Sequence, residues 1–455
     1  MSARPVHCGW VPLVLGLGLL SACGEKKQEV LVVPVRAAAS AVTGAQPEAL
    51  QPAQSSFAQQ LAIADRTIDA ALRQIDQQPD NLVLVQQTVL LLLERARLNG
   101  LPDDYLQARQ LLARATDKAA RAGQAGSVCE AEARLNFAMH RLPAASAALA
   151  TCTGVMDNAE AGALAADIAF YSGRYAQAQA GYLALLNRHG SSSQHIRLAL
   201  YRWKTGSPAE AAALLEAAER RYHGGSAGTI AWLRLQRGLV AWERGRLDEA
   251  LALYQLANDA MPGWWLVEEQ IAEVLRLQGD TAGASARLQK LVARNGRPEH
   301  MDELARLLRE GATPDAAQPW IQRAKGIYRS RLADYPEAAI GHAVDHFLQF
   351  GTPAEALSLA RRNAELRPYG DAQIALAAAL FRAGQAGEAA SWIRRVQDSG
   401  WNTAQLHAVA AQILAALGQG AAADGHRALA LAMNPHAMRL YLITQPAQPE
   451  LVSMW

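Results

Sequence analysis

Apolar side chains recur every three or four positions through most of the chain, which is the spacing of amphipathic helices. Near the N-terminal end, one apolar stripe runs through each of Phe57 to Gln78, Asn81 to Asn99 and Asp103 to Ala122. These three segments are therefore predicted to be helices. Since the same spacing continues downstream, the pattern favours an all-α protein.

A longer period of about 34 residues groups the predicted helices into pairs. In one such unit, Gly238 and Ala250 are small where two helices would cross closely, and Gly245 suits a left-handed turn between them. Tyr254 would fill the space beside the small residues, and Pro262 would end the second helix. This unit predicts a helical hairpin.

Glycines at the turn position give the register of the hairpins along the chain. They are Gly173, Gly206, Gly245, Gly279, Gly351, Gly384 and Gly418, at spacings of 33, 39, 34, 72, 33 and 34 residues. The longest spacing holds one additional, irregular repeat, and His140 occupies the turn position of a weaker upstream repeat. Taken together, these marks resemble the tetratricopeptide repeat, a pair of antiparallel helices in about 34 residues.

The resemblance implies a right-handed α-solenoid of helix-turn-helix repeats with a concave groove. Its segments are expected to be the N-terminal helices of the stack (57–125), a repeat array (126–297), an irregular repeat with an insertion (298–336), a second array (337–437) and a C-terminal tail (438–455). The tail either packs on the last repeat or is a docking segment, and we favour packing.

In tetratricopeptide proteins that bind peptides, the first helix of each repeat lines the groove. Transferred by register, the groove positions here are Phe170, Tyr171, Trp203, Lys204, Trp232, Trp242, Glu269, Glu273 and Arg276. Phe170, Trp203 and Trp242 recur just before three successive turns. Such aromatics either pack between repeats or contact an extended peptide or a sugar ring; we favour packing and keep both alternatives.

The N-terminal segment predicts export and a lipid anchor. A basic residue, Arg4, precedes an apolar stretch that is too short to span a membrane as a helix. The stretch ends in Leu20-Ser21-Ala22-Cys23, which resembles a bacterial lipobox, so residues 1–22 would be a signal peptide and Cys23 the lipidated residue. Because Gly24 rather than Asp follows, the resemblance implies the periplasmic side of the outer membrane, with residues 23–56 as the lipidated cysteine and a flexible tether. The alternative is an ordinary signal peptide.

Charge and cysteine content bear on the kind of partner and on the cellular compartment. Across 455 residues, 44 Lys and Arg face 42 Asp and Glu, and this net charge of +2 gives no reason to expect nucleic acid as a partner. Of the 4 cysteines, Cys129 and Cys152 would lie at similar height across one hairpin. They are either two small buried thiols or a disulfide formed in an oxidising compartment, which we favour.

No catalytic motif is recognisable, so we expect neither an enzyme nor a cofactor. His342 and His346 share a helix face, but two imidazoles make an incomplete metal site, and a metal is not expected. The chain is predicted to be a protein-binding adaptor or assembly factor that holds an envelope protein or peptide in its groove. The envelope complex would be of the pilus, secretion or polysaccharide-export type. The alternative is a lipoprotein that binds glycan or peptidoglycan through its aromatics.

Overall fold

The computed structural model describes residues 56–121, 125–311 and 314–443, which form 22 α-helices and two 3-10 helices. The α-helices are α1 (Phe57–Gln77), α2 (Leu82–Asn99), α3 (Asp103–Arg121), α4 (Cys129–Ala138), α5 (Leu142–Ala150), α6 (Asn158–Tyr171), α7 (Tyr175–His189), α8 (Ser192–Lys204), α9 (Pro208–Arg221), α10 (Ala227–Glu243), α11 (Leu247–Ala260), α12 (Trp265–Gln278), α13 (Thr281–Asn295), α14 (Pro298–Glu310), α15 (Gln318–Asp334), α16 (Pro336–Phe350), α17 (Pro353–Leu366), α18 (Gly370–Arg382), α19 (Ala386–Asp398), α20 (Ala404–Ala416), α21 (Gly420–Met433) and α22 (Ala437–Leu440). The 3-10 helices are Ala125–Val128 and Pro314–Ala317. The three predicted N-terminal helices are confirmed as α1 to α3.

Ten helical hairpins make up the solenoid within these residues, from α2/α3 to α20/α21, each packing on the next. The first helix of a pair is the more buried one: α8, α10, α12, α18 and α20 bury residues around most of their circumference, whereas α9, α11, α13, α19 and α21 bury one narrow stripe. The predicted fold class, an all-α solenoid of tetratricopeptide type, is confirmed.

The turn between the helices of a pair follows the predicted register. His140, which stands where glycine was expected, is the one non-glycine residue with positive φ in the described chain, at 60°. Gly351 differs from the other turn glycines, because its φ is −89°. The reason is local: the next helix begins with a capping box in which Thr352 and Glu355 bond each other's backbone, and Pro353 sets the first helical residue.

Close helix crossing explains the small residues of the repeat. Ala250 and Tyr254 have no exposed surface, and a Cβ added at Gly238 would collide with the Tyr254 ring. Proline marks the predicted helix ends, since α11 stops two residues before Pro262 and α15 stops before Pro336.

In the α4/α5 hairpin, the Cα atoms of Cys129 and Cys152 lie 5.5 Å apart and the sulfurs are joined as a disulfide.

The solenoid winds tightly enough for successive superhelical turns to touch. Each contact joins the start or the turn of one hairpin to the loop that lies eleven helices further along the chain. The six contacts are Phe57 N to Pro262 O (3.0 Å), Arg297 to the Gly100 carbonyl, Arg141 to Glu337 (3.3 Å), Gly370 N to Tyr175 Oη (2.8 Å), Asn402 N to Lys204 O (2.9 Å) and Asn434 Nδ2 to Trp242 O (3.3 Å). Helices α1 to α11 therefore form one superhelical turn, and α12 to α22 form the next turn against it.

Part of the predicted C-terminal tail packs on the last repeat. Tyr441 and Ile443 are buried, and the Gln412 side chain of α20 bonds the Tyr441 carbonyl and the Ile443 amide, both at 2.8 Å. Residues 444–455 lie outside the described residues. The signal peptide, Cys23 and nearly all of the tether lie outside them as well. Within the described residues, no helix combines the length and the apolar character needed to span a membrane.

Candidate functional site

A cavity of about 250 Å³ lies inside the superhelix, between its two turns. One side is formed by the inner helices of the first turn, with Tyr171, Trp203 and Trp242 near the ends of α6, α8 and α10. The other side is formed by the second turn, with Arg331 from α15 and Asp345 from α16. The cavity exists because the two turns close over the space that an open solenoid would leave as a groove.

Four of the nine predicted groove residues line this cavity. Tyr171, Trp203, Lys204 and Trp242 are 2%, 5%, 4% and 3% exposed. The structure gathers these four side chains around the cavity, where the contact between superhelical turns covers them. Their predicted role in holding a partner stays a prediction.

Phe170 and Trp232 belong to the core instead. The Phe170 ring centroid lies 5.1 Å from that of Tyr171, 5.6 Å from Tyr175 and 5.8 Å from Trp401, so the ring is surrounded by other aromatics. Trp232 is 7% exposed within the same apolar core. Of the two alternatives for the aromatic ladder, packing is the one that describes Phe170.

Glu269, Glu273 and Arg276 bond to neighbouring side chains of the protein itself. Glu273 accepts hydrogen bonds from Arg276 and Arg306, both at 2.9 Å, in a fully buried position. Burial alone would raise the pKa of Glu273, but the charges of Arg306 and Arg276 outweigh it and lower that pKa to about 2. Glu269 lies 3.2 Å from Nε2 of His300. These three residues line a smaller pocket, and their predicted role in a groove stays a prediction.

Cationic side chains are prominent in the cavity wall. Lys204 pairs with Asp371 at 3.1 Å, and Arg331 pairs with Glu299 at 2.8 Å. Arg367 is different, because its guanidinium bonds the Asn363 side-chain oxygen at 3.0 Å and forms no ion pair with a described carboxylate. At 4% exposure, this is a buried positive charge.

The remaining carboxyl groups of the wall are poor at balancing that charge. Burial raises the pKa of Glu243 to about 7, and Lys204 and a hydrogen bond from Tyr441 only partly oppose the shift. Burial likewise raises the pKa of Asp345 well above its ordinary value, although Arg367 opposes it. Burial lowers the pKa of His342, which disfavours its charged form. The cavity is therefore positive near neutral pH.

Three hydrogen-bond donors at the wall have no acceptor in the described protein. They are the Tyr171 hydroxyl and the indole N–H groups of Trp203 and Trp242. Buried donors without a partner are rare in folded proteins because each costs about 1–3 kcal/mol. All three atoms are buried within the wall, so it is the volume of the cavity and its charged side chains that make it the candidate binding site of the molecule.

Several site residues escaped the sequence analysis. Arg297, Arg331, Arg367 and Tyr369 all lie in or beside the irregular repeat and the loops between repeats, where tetratricopeptide register assigns no groove position. The sequence does contain a weak signal, since Arg297, Arg367 and Tyr369 sit next to helix-ending or helix-starting prolines. Only the contact between superhelical turns brings them to the inner face.

The histidine pair does not form a metal site. His342 lines the cavity, whereas Nδ1 of His346 bonds Asp302 at 2.8 Å in the core. Among the described residues, no group of three or more His, Cys, Asp or Glu side chains is placed to hold a metal ion.

Comparison with known proteins finds only structural likenesses of low sequence identity. No protein-family model matches the chain, and no curated protein matches it. Among solved structures, it is similar to a tetratricopeptide repeat protein from Parabacteroides merdae (18% identity, 56% of this chain and 99% of that one, TM-score 0.34). It is also similar to the Cut9–Hcn1 hetero-tetramer of the APC/C (17% identity, 83% and 66%, TM-score 0.44) and to human IFIT1 with PPP-AAAA (13% identity, 77% and 94%, TM-score 0.38). The class that the fold defines is a tetratricopeptide-like helical repeat, an architecture that commonly serves as a protein-interaction scaffold.

Proposed function

We propose that this protein is a scaffold of the bacterial cell envelope that binds a protein partner while a lipid on Cys23 anchors it at the periplasmic side of the outer membrane. The observation that carries the binding role is the stack of ten tetratricopeptide-type hairpins, a fold whose large surface holds partners in place. The disulfide between Cys129 and Cys152 supports an oxidising compartment such as the periplasm. The envelope complex it serves would be of the pilus, secretion or polysaccharide-export type. No catalytic step belongs to this proposal.

We infer that a protein partner binds the outer face of the solenoid rather than its inner face. Because the superhelical turns close the interior, a folded domain or a long peptide reaches only the second helices of the hairpins and the ends of the stack. Leu256 on α11 and Leu429 on α21 are large apolar residues of this outer face, 46% and 48% exposed. They are suitable positions from which to sample a partner.

In-cell photocrosslinking tests the proposal. A photoreactive residue is placed at Leu256 or Leu429 in the full chain, membranes are fractionated, and captured proteins are identified by mass spectrometry. We expect one dominant envelope protein, and Leu256→Glu or Leu429→Glu should abolish its capture from the substituted position. In parallel, Cys23→Ala should release the chain from the membrane. A chain that stays in the outer membrane and captures nothing above background from any outer position contradicts the scaffold.

The alternative function, glycan binding through the predicted aromatics, lacks an exposed surface on those residues. An open ladder of stacking rings is not present in the described chain, because Phe170, Trp203 and Trp242 are all buried. A polymer such as peptidoglycan therefore has no exposed aromatic platform on these residues, and binding by insoluble peptidoglycan or exported polysaccharide serves as the negative control of the capture experiment.

A further inference from the structure

The outer helices of the solenoid, which are the second helices of its hairpins, carry unequal charge. Most of them, from α3 to α21, have a net charge between −3 and +1. The exceptions are two neighbours. Helix α13 contains three basic residues and no acidic one, and α15 contains four basic residues and one acidic one. Because the whole chain has a net charge of only +2, this excess of positive charge is a local feature of the surface.

Part of this positive charge is neutralised by the fold itself. Four of the seven cations form ion pairs, which are Arg287 with Glu268, Lys325 and Arg329 with Glu355, and Arg331 with Glu299. The other three are Lys290, Arg294 and Arg323. They are exposed and form no ion pair with a carboxylate of the described chain. Their charge is therefore available to a partner outside the protein.

The three unpaired cations lie together at the C-terminal end of α13. Lys290 and Arg294 are four residues apart and so share one face of that helix. Arg323 of α15 approaches the same helix end, since its Nη2 lies 3.9 Å from the position of a Cβ at Gly296, which directly follows α13. We call Lys290, Arg294 and Arg323 the α13 patch. Like charges at this spacing repel each other, and an external anion would relieve that repulsion.

The α13 patch lies where the N-terminal segment joins the fold. The Phe57 amide, at the start of α1, donates to the Pro262 carbonyl at 3.0 Å. Arg294 reaches the next residue, since its Nη1 lies 3.7 Å from the position of a Cβ at Gly263. A flexible chain as long as the predicted tether, residues 23–56, has a root-mean-square span of about 30 Å. A lipid at the start of that tether would therefore keep the patch close to the bilayer.

We propose that the α13 patch binds the phosphate groups of anionic phospholipids in the membrane to which the chain is anchored. The inference rests on the proposed lipid anchor and adds a direct contact between the folded solenoid and the headgroups. Guanidinium and ammonium groups pair with phosphate through charge-assisted hydrogen bonds. Each cation near an anionic surface should strengthen binding about fivefold, so the three together should strengthen it about a hundredfold. The contact would fix which outer helices face the membrane.

Fluorescence quenching by lipids with spin-labelled headgroups tests this contact. The full lipidated chain is placed in vesicles of phosphatidylcholine, with or without phosphatidylglycerol. The fluorophore is attached to Ala293→Cys beside the patch or, as a reference, to Ser391→Cys on α19, about half a superhelical turn away; both positions are exposed. We expect phosphatidylglycerol to increase the quenching at position 293 but not at position 391, and high salt to remove the increase. Equal quenching at position 293 in both kinds of vesicle overturns the proposal.

Two sets of charge reversals provide a matched comparison. The patch variant carries Lys290→Glu, Arg294→Glu and Arg323→Glu. The control variant changes the net charge by the same amount at three exposed arginines of α7 and α9, which are Arg188, Arg220 and Arg221. We expect the patch variant to lose the increase in quenching and the control variant to keep it, with circular dichroism establishing that both are folded. A folded patch variant that is quenched like the control variant refutes the assignment.

Vesicle flotation separates failure of the patch from failure of the lipid anchor. A lipidated chain should float with neutral vesicles whatever the patch does. A chain that floats with neutral vesicles but shows no effect of phosphatidylglycerol keeps the anchor and overturns the patch. A chain that does not float with neutral vesicles contradicts the anchor. In that case, flotation with phosphatidylglycerol vesicles that is lost in the patch variant still supports the patch, and no flotation with either kind of vesicle overturns both.

Discussion

Substitution of two turn glycines by alanine isolates the contact between superhelical turns. Gly173 and Gly384 occupy the same position of a hairpin turn, with φ of 73° and 77°. Alanine in this left-handed conformation costs roughly 1–2 kcal/mol at either site. A Cβ at Gly173, however, would also collide with the Pro368 carbonyl oxygen of the next superhelical turn, whereas a Cβ at Gly384 would meet nothing within 4 Å.

The difference in the free energy of unfolding between the two variants therefore measures the effect of the collision between superhelical turns. Overpacking against a backbone atom typically adds about 1–3 kcal/mol, so Gly173→Ala should lower the free energy of unfolding by that much more than Gly384→Ala does. Urea unfolding followed by circular dichroism measures both values. Small-angle X-ray scattering of the folded variants adds a second readout, since Gly173→Ala should enlarge the radius of gyration if the turns separate to relieve the collision. Equal destabilisation and equal radii would refute the contact and, with it, the closed interior.

Three further predictions follow from buried charges and the disulfide. The pKa of Glu243 in the folded protein, about 7 against an ordinary 4.5, means that ionisation of this group opposes folding as pH rises between those values. Glu243→Gln should therefore match the parent near pH 4 and be more stable by up to about 3 kcal/mol at pH 8, as judged by urea unfolding at both pH values; equal stability at pH 8 contradicts the shift. Glu273→Ala should cost about 3–5 kcal/mol because it leaves buried guanidinium groups unpaired, while Glu249→Ala, which removes an ion pair at the surface, should cost less than about 1 kcal/mol in the same assay. Reduction of the bond between Cys129 and Cys152 should destabilise the protein by about 3 kcal/mol, and two free thiols in unfolded, unreduced protein would contradict that bond.

The local architecture was predictable because it is set by short-range chemistry. The spacing of apolar residues locates α1 to α3, and the small residue at Gly238 is required by the Tyr254 ring that crosses it. His140 shows how strong the register is. The surrounding repeat marks alone predict that His140 lies at a turn. Its backbone has the left-handed conformation that this position requires, with φ of 60°.

The closure of the solenoid was not predictable from the same marks. Each hairpin is rotated slightly against the last, and the pitch of the superhelix is the sum of many such small rotations. A change in this rotation can be too small to alter any one repeat and still decide whether hairpins eleven helices apart touch. Trp203 has the same position in its repeat whether the interior is open or closed. Its sequence context therefore does not predict its exposed fraction, which is 5%.

Closure also changes what the inner face can recognise. An open groove selects an extended chain, whereas this cavity of about 250 Å³ is covered by the second superhelical turn. Because a ligand in the cavity would bridge the two superhelical turns, it would bind the closed form and not the opened one. Such a ligand at 100 times its dissociation constant stabilises the closed form by about 2.7 kcal/mol. This is comparable to the cost expected for Gly173→Ala, so a ligand that rescues the radius of that variant would link the cavity to the closure of the superhelix.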